Sequence, residues 1–123
     1  MSPVERYTLP PGARSALLVV DMQNYTIEKP ERRRNLDETI ANINRLIDHF
    51  DAAGMPVFHV ITCYRADGSD WTLRMKAEGT PVLIAGSDQA AILPGLRLLP
   101  QHHTLVKTRY SAFFKTDLAE QLQ

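Results

Sequence analysis

Three short apolar runs and one long amphipathic stretch organise the chain. Ser15 to Val20 is apolar after its first residue, rich in leucine and valine, and does not alternate with polar residues. That pattern predicts a strand covered on both faces, as in a parallel sheet. Residues 24 to 34 are polar and predict a loop. Leu36, Ile40, Ile43, Ile47 and Phe50 then recur at helical spacing, with Leu46 widening the stripe. Asn35 is placed to cap this helix, and Glu38, three residues on, to complete a capping box. Gly54, Met55 and Pro56 form a stop signal.

Val57 to Thr62 reads as a second buried strand. Strand, helix, strand with short joins is the signature of a right-handed parallel α/β unit. Trp71 to Ala77 is a short helical candidate. Residues 79 to 100 carry three prolines and three glycines and predict a long surface excursion, a feature often tied to function. His103 to Lys107 is the third strand, "TRYSAFFKT" a loop, and Thr116 the cap of a final helix that opens with Asp117. Residues 1 to 14, with three prolines and a glycine, predict an irregular arm.

Composition narrows the function classes. Apolar residues make up 44% and charged residues 23%, as in ordinary globular domains, and 123 residues fit one domain. Fourteen basic residues balance fourteen acidic ones, so nothing in the charge calls for nucleic acid as a partner. Arg32 to Arg34 form the one basic run, but Glu28 and Glu31 sit beside it, and a solvated face explains it. No apolar run approaches the ~20 residues that span a bilayer, and the N-terminus lacks signal-peptide order, so no membrane partner and a cytoplasmic location are expected. Cys63 is the sole cysteine, which rules out an internal disulfide.

Candidate chemistry sits at strand ends. Asp21 follows the first strand and Lys107 ends the third, and ligands in open α/β sheets bind beyond the carboxyl ends of the strands. A carboxylate at an apolar rim needs a partner, and a lysine supplies one. Such a pair can also ready a third group, the carboxylate by taking a proton and the ammonium by steadying an anion. The bland alternative is a helix-capping aspartate and a surface lysine. A phosphoacceptor receiver domain would need an acidic pair after the first strand. A haloacid-dehalogenase-type phosphatase would need a second aspartate where Gln23 stands. No glycine-rich phosphate loop follows the first strand.

Several stretches together resemble one family. "ALLVVDMQNY", "AAGMPVFHVIT" and "LVKTRYSAFFKTDL" are similar, in this order and separation, to the first strand, second strand and lysine motif of the isochorismatase-like cysteine hydrolases. The resemblance runs from about Ser15 to the end. It implies a Rossmann-like parallel sheet, three-layer α/β/α, of which this chain holds the N-terminal half to two-thirds. It implies hydrolysis of a small amide, carbamoyl or vinyl-ether substrate by an aspartate–lysine–cysteine triad, with no cofactor. Asp21 matches the general base and Lys107 the charge stabiliser. Tyr110, Ser111 and Phe113 or Phe114 fall where the family lines its pocket, and Gln23 and Tyr25 follow the aspartate into the same crevice, where they are expected to bind substrate.

The family's nucleophile lies beyond the lysine motif, and no residue here matches it. Cys63 ends the second strand, where the family does not place that thiol, and is expected to line the pocket or pack beneath it. The aspartate–histidine spacing by which nicotinamidase-like relatives bind metal is missing from "TCYRADGSDW", so no metal site is expected. His49 and His59 are expected to be packing or surface residues, and His102 and His103 to form a turn. The chain is therefore expected to be a single domain, C-terminally incomplete. Its first strand would be left at an open edge, covered by a homo-oligomeric partner or a complementing C-terminal fragment. A non-catalytic small-molecule-binding or assembly protein of the same fold is the rival reading.

Overall fold

The computed structural model describes residues 14–123, and the proline-rich stretch 1–13 lies outside the described residues. Three strands, β1 (Leu17–Val20), β2 (Val57–Thr62) and β3 (His103–Lys107), form a sheet of order β1-β2-β3. Both pairings are parallel; Val19 lies opposite His59, and Thr62 opposite Lys107. The expected α/β architecture with a parallel sheet is thus present. β1 is an edge strand, and Val20 is 43% exposed rather than covered on both faces.

The helix α1 (Leu36–Ala52) joins β1 to β2. Its apolar stripe packs on one face of the sheet, where Ile47, Val19 and Val57 are buried together with Ile43 and Phe50 against them. Leu46 falls off this stripe and is half exposed. The expected capping box does not form: Asn35 takes a left-handed backbone (φ 57°) and its side chain makes no cap hydrogen bond. An N-cap side chain reaches the first helical amides from extended backbone, so this geometry removes it. The stop signal works as read. Gly54 adopts φ 70°, open to glycine at little cost, and the Met55 amide donates to the Phe50 carbonyl at 2.9 Å.

The opposite face carries Phe58, Val60 and Leu105, closed by Leu118 from the one-turn helix α3 (Leu118–Gln121). Thr116 holds the entry to α3, its hydroxyl donating to the Ala112 carbonyl and accepting from the Leu118 amide. The predicted short helix is α2 (Leu73–Glu78), capped by Thr72, whose hydroxyl accepts from the Met75 amide at 3.2 Å. Residues 24 to 34 are less irregular than expected: two 3-10 turns, Asn24–Ile27 and Pro30–Arg33, tighten them. Arg32 and Arg33 donate to carbonyls of Thr26, Ile27 and Glu28, which accounts for much of the basic run. Among the described residues no helix is long and apolar enough to cross a membrane.

His102 is not a simple turn residue. Its Nδ1 accepts from the Leu99 amide, so its proton sits on Nε2, 3.0 Å from the Asp51 carboxylate. His59 Nε2 therefore donates to His102 Nδ1 at 3.0 Å, and the buried His59 Nδ1 has no partner among the described residues. This Asp51–His102–His59 relay ties the end of α1 to β2 and the entry of β3. Burial first, then the His102 ring, hold the His59 imidazole below its ordinary value; the Asp51 carboxylate only partly opposes them.

The sign for stability follows. The unfolded chain binds a proton at His59 near pH 6.5 and the folded chain only lower, so stability is full above that pH and falls below it. Urea unfolding is expected to show a lower midpoint at pH 5.5 than at 7.5, and His59→Leu is expected to shrink that difference. Ile47→Ala, at a fully buried position, is expected to cost about 2–5 kcal/mol in the same assay.

Candidate functional site

The carboxyl-end rim of the sheet brings Asp21 and Lys107 together across 86 residues of sequence. Lys107 Nζ lies 3.2 Å from Asp21 Oδ1. The lysine side chain is 3% exposed and the aspartate side chain 46%. The ammonium is therefore enclosed by protein, while the carboxylate keeps a face open to an incoming group. Lys107 also donates to Thr62 Oγ1 at 2.9 Å and to the Arg109 carbonyl at 3.2 Å. An ammonium has three N–H donors, and these three partners use all of them.

Asp21 is held by its backbone as well. Its amide donates to the Val60 carbonyl at 2.9 Å, continuing the β1–β2 ladder by one step. Its φ of 58° is left-handed, a conformation that costs a non-glycine residue on the order of 1–3 kcal/mol and persists where the surroundings over-determine it. The Asp21 carbonyl accepts from the Gln23 amide and the Thr26 hydroxyl. These contacts turn the chain sharply off the sheet just where the carboxylate is displayed.

The excursion after α2 returns to this rim. Leu93 donates to the Met22 carbonyl, and the carbonyls of Ala91 and Gln89 accept from the amides of Asn24 and Tyr25. Tyr64, Met75 and Leu83 bury a small cluster there, with Tyr25 and Trp71 packed against it. Arg109 donates to carbonyls of Asp70 and Thr108.

The expected pocket residues scatter. Gln23 is 1% exposed, and its amide is occupied by the backbone of Thr62 and Ala90. Tyr25 packs into the Tyr64 cluster. Tyr110 projects fully into solvent, and Phe113 and Phe114 are about half exposed. Ser111 is exposed, its hydroxyl accepting from the Phe113 amide. Thr62 was absent from the sequence-based set, yet it touches both members of the pair. The signal for it was its place at the end of the second strand; its register with Lys107 came only from the fold.

Cys63 does not face the pair. Side chains alternate along a strand. Thr62 and Lys107 therefore share the Phe58–Leu105 face, while Ile61 and Cys63 point the other way. There Cys63 lines a cavity of about 510 Å³ with Ile61, Val106, Thr108, Ala90 and Ala91. Burial pushes its thiol up, toward the unreactive protonated form.

Comparison with known proteins matches residues 15–123 to the isochorismatase domain. The chain belongs to the isochorismatase family. It is 31% identical over 116 residues to the "Probable inactive nicotinamidase" of Arabidopsis thaliana, covering 89% of this chain and 59% of that protein. Among solved structures it is similar to an isochorismatase family protein from Desulfovibrio vulgaris, with a TM-score of 0.73 and 34% identity over 87% of this chain and 59% of the other. N-carbamoylsarcosine amidase from Thermoplasma acidophilum gives a TM-score of 0.71 at 26% identity, over 89% of this chain and 61% of the other. The chain thus spans about three-fifths of the length of these relatives, and its Rossmann-type α/β fold is that of the isochorismatase family.

Iodoacetamide at pH 8 is expected to label Cys63 about ten-fold more slowly than free cysteine, with the difference abolished in urea. Labelling at the free-thiol rate would contradict an inert, cavity-lining thiol.

Proposed function

We propose that this chain is the base-carrying part of a cysteine-dependent hydrolase of the isochorismatase family, acting on a small amide, carbamoyl or vinyl-ether substrate. The observation that carries the reading is the half-open Asp21 carboxylate clamped beside the enclosed Lys107 ammonium. Asp21 accepts the proton of an attacking thiol. Lys107 holds the local field positive while the thiolate and then an oxyanion develop. Family membership and the likeness to an amidase acting on N-carbamoylsarcosine support the reaction class.

The thiol is not Cys63, which faces away from Asp21 and is made less acidic by burial. A cysteine outside these 123 residues completes the triad in this reading, and the exposed Tyr110, Ser111, Phe113 and Phe114 are the side chains left available to line the rest of the pocket. The outer edge of β1, unpaired among the described residues, is where the completing segment or a second copy pairs. The protein works in the cytoplasm with neither cofactor nor metal. A second reading, a non-catalytic binding or assembly protein of the same fold, is favoured by the relative whose name calls it inactive.

The test uses the full-length gene product. Intact mass and thiol labelling first establish whether a fast-reacting cysteine other than Cys63 is present. Turnover of carbamoyl and amide substrates then follows. Asp21→Asn and Lys107→Ala are each expected to lower kcat by roughly 10²–10⁴. Unchanged turnover in the lysine variant removes the assignment, and absence of any fast thiol favours the binding reading.

A further inference from the structure

Thr62 sits between the two ends of the pair. Its hydroxyl donates to Asp21 Oδ1 at 2.9 Å and accepts from Lys107 Nζ at 2.9 Å. No other orientation is open to that hydroxyl: an ammonium only donates and an ionised carboxylate only accepts. The three groups form one polarised chain, buried at Lys107 and Thr62 and half open at Asp21, in which each bond strengthens the next. Thr62 is 8% exposed, so water has little access to substitute for it.

Thr62 is itself fixed, and by an unusual device. After Asp21 the chain leaves the sheet, so β1 offers no peptide to pair with Thr62. The Gln23 side-chain amide takes that place. Its Nε2 donates to the Thr62 carbonyl and its Oε1 accepts from the Thr62 amide, both at 2.9 Å, as a neighbouring strand would. A third bond, Nε2 to the Ala90 carbonyl at 2.9 Å, anchors the amide to the returning excursion.

We propose that Thr62, clamped by Gln23, is the positioning residue of the Asp21–Lys107 pair. Its hydroxyl occupies one ammonium proton and one carboxylate lone pair, and so sets where both charges lie. With Arg109's carbonyl taking another Lys107 proton, the ammonium has no donor left for a substrate while Asp21 is ionised. Lys107 therefore acts on the reaction through its field and through Asp21, and Thr62 keeps it there. The catalytic consequence rests on the hydrolase reading; the positioning itself does not.

Thr62→Val, which keeps the shape and removes the hydroxyl, and Thr62→Ser, which keeps the hydroxyl, separate the two. The first readout is proton exchange at the Lys107 ammonium by ¹⁵N NMR, the signal assigned by its loss in Lys107→Met. Wild type and Thr62→Ser are expected to agree within about twofold, and Thr62→Val to exchange about ten-fold faster. The second readout is turnover by the full-length protein: Thr62→Val is expected to lose about 10–100-fold in kcat with KM nearly unchanged, and Thr62→Ser to restore it. Circular dichroism checks folding, and Thr62→Ala replaces the valine variant if that one unfolds. Equal ammonium exchange in wild type and the hydroxyl-free variant overturns the proposal whatever the turnover. Altered exchange in a protein that hydrolyses nothing sinks the hydrolase reading and leaves the positioning intact.

Discussion

The structure around the rim depends on one constraint: the Lys107 ammonium is buried and must have three acceptors. A buried cation without partners is costly enough that the site would otherwise open. Its acceptors come from three separate places, namely Asp21 after β1, Thr62 at the end of β2, and the Arg109 carbonyl beyond β3. Satisfying one side chain therefore fixes the relative placement of all three strand ends. The carboxylate that results is oriented yet half open.

The chain meets that constraint at some local cost. Asp21 takes a left-handed backbone, and Gln23 is buried entirely to replace a missing ladder partner. Neither choice favours a simple strand end. Local rules are broken here and the surrounding hydrogen bonds compensate, as is common where function concentrates. The opposite end of the sheet shows a second buried polar array, Asp51–His102–His59, whose role in the fold is to tie α1 to the strands. One face of the sheet thus carries α1, this relay and the Cys63 cavity. The other carries the Phe58–Leu105 core and, at its rim, the charged pair.

The chain belongs to the isochorismatase family and covers about three-fifths of the relatives' length. Among the described residues β1 lies at the sheet edge, and Val20, Tyr110, Phe113 and Phe114 are exposed. These are surfaces of the kind a further segment or a second copy buries.

By itself the sequence determined the periodic elements. The three strands and the long helix are written in apolar spacing, because burying one stripe of a helix or at least one face of a strand demands it. It also determined that Asp21 and Lys107 end strands, since a parallel sheet puts both ends on one rim. Caps were less legible. Asn35 has the right side chain for its post, but the tertiary path sets its backbone left-handed. Only the folded structure decided what lies across the sheet from what. The alternation of β2 sent Thr62 toward the charged pair and Cys63 away from it. It also turned Gln23 from an expected pocket-liner into a buried stand-in for a strand, and paired His59 with His102. Hydrogen bonds between residues tens of positions apart depend on strand order and register, and neither is encoded in local pattern.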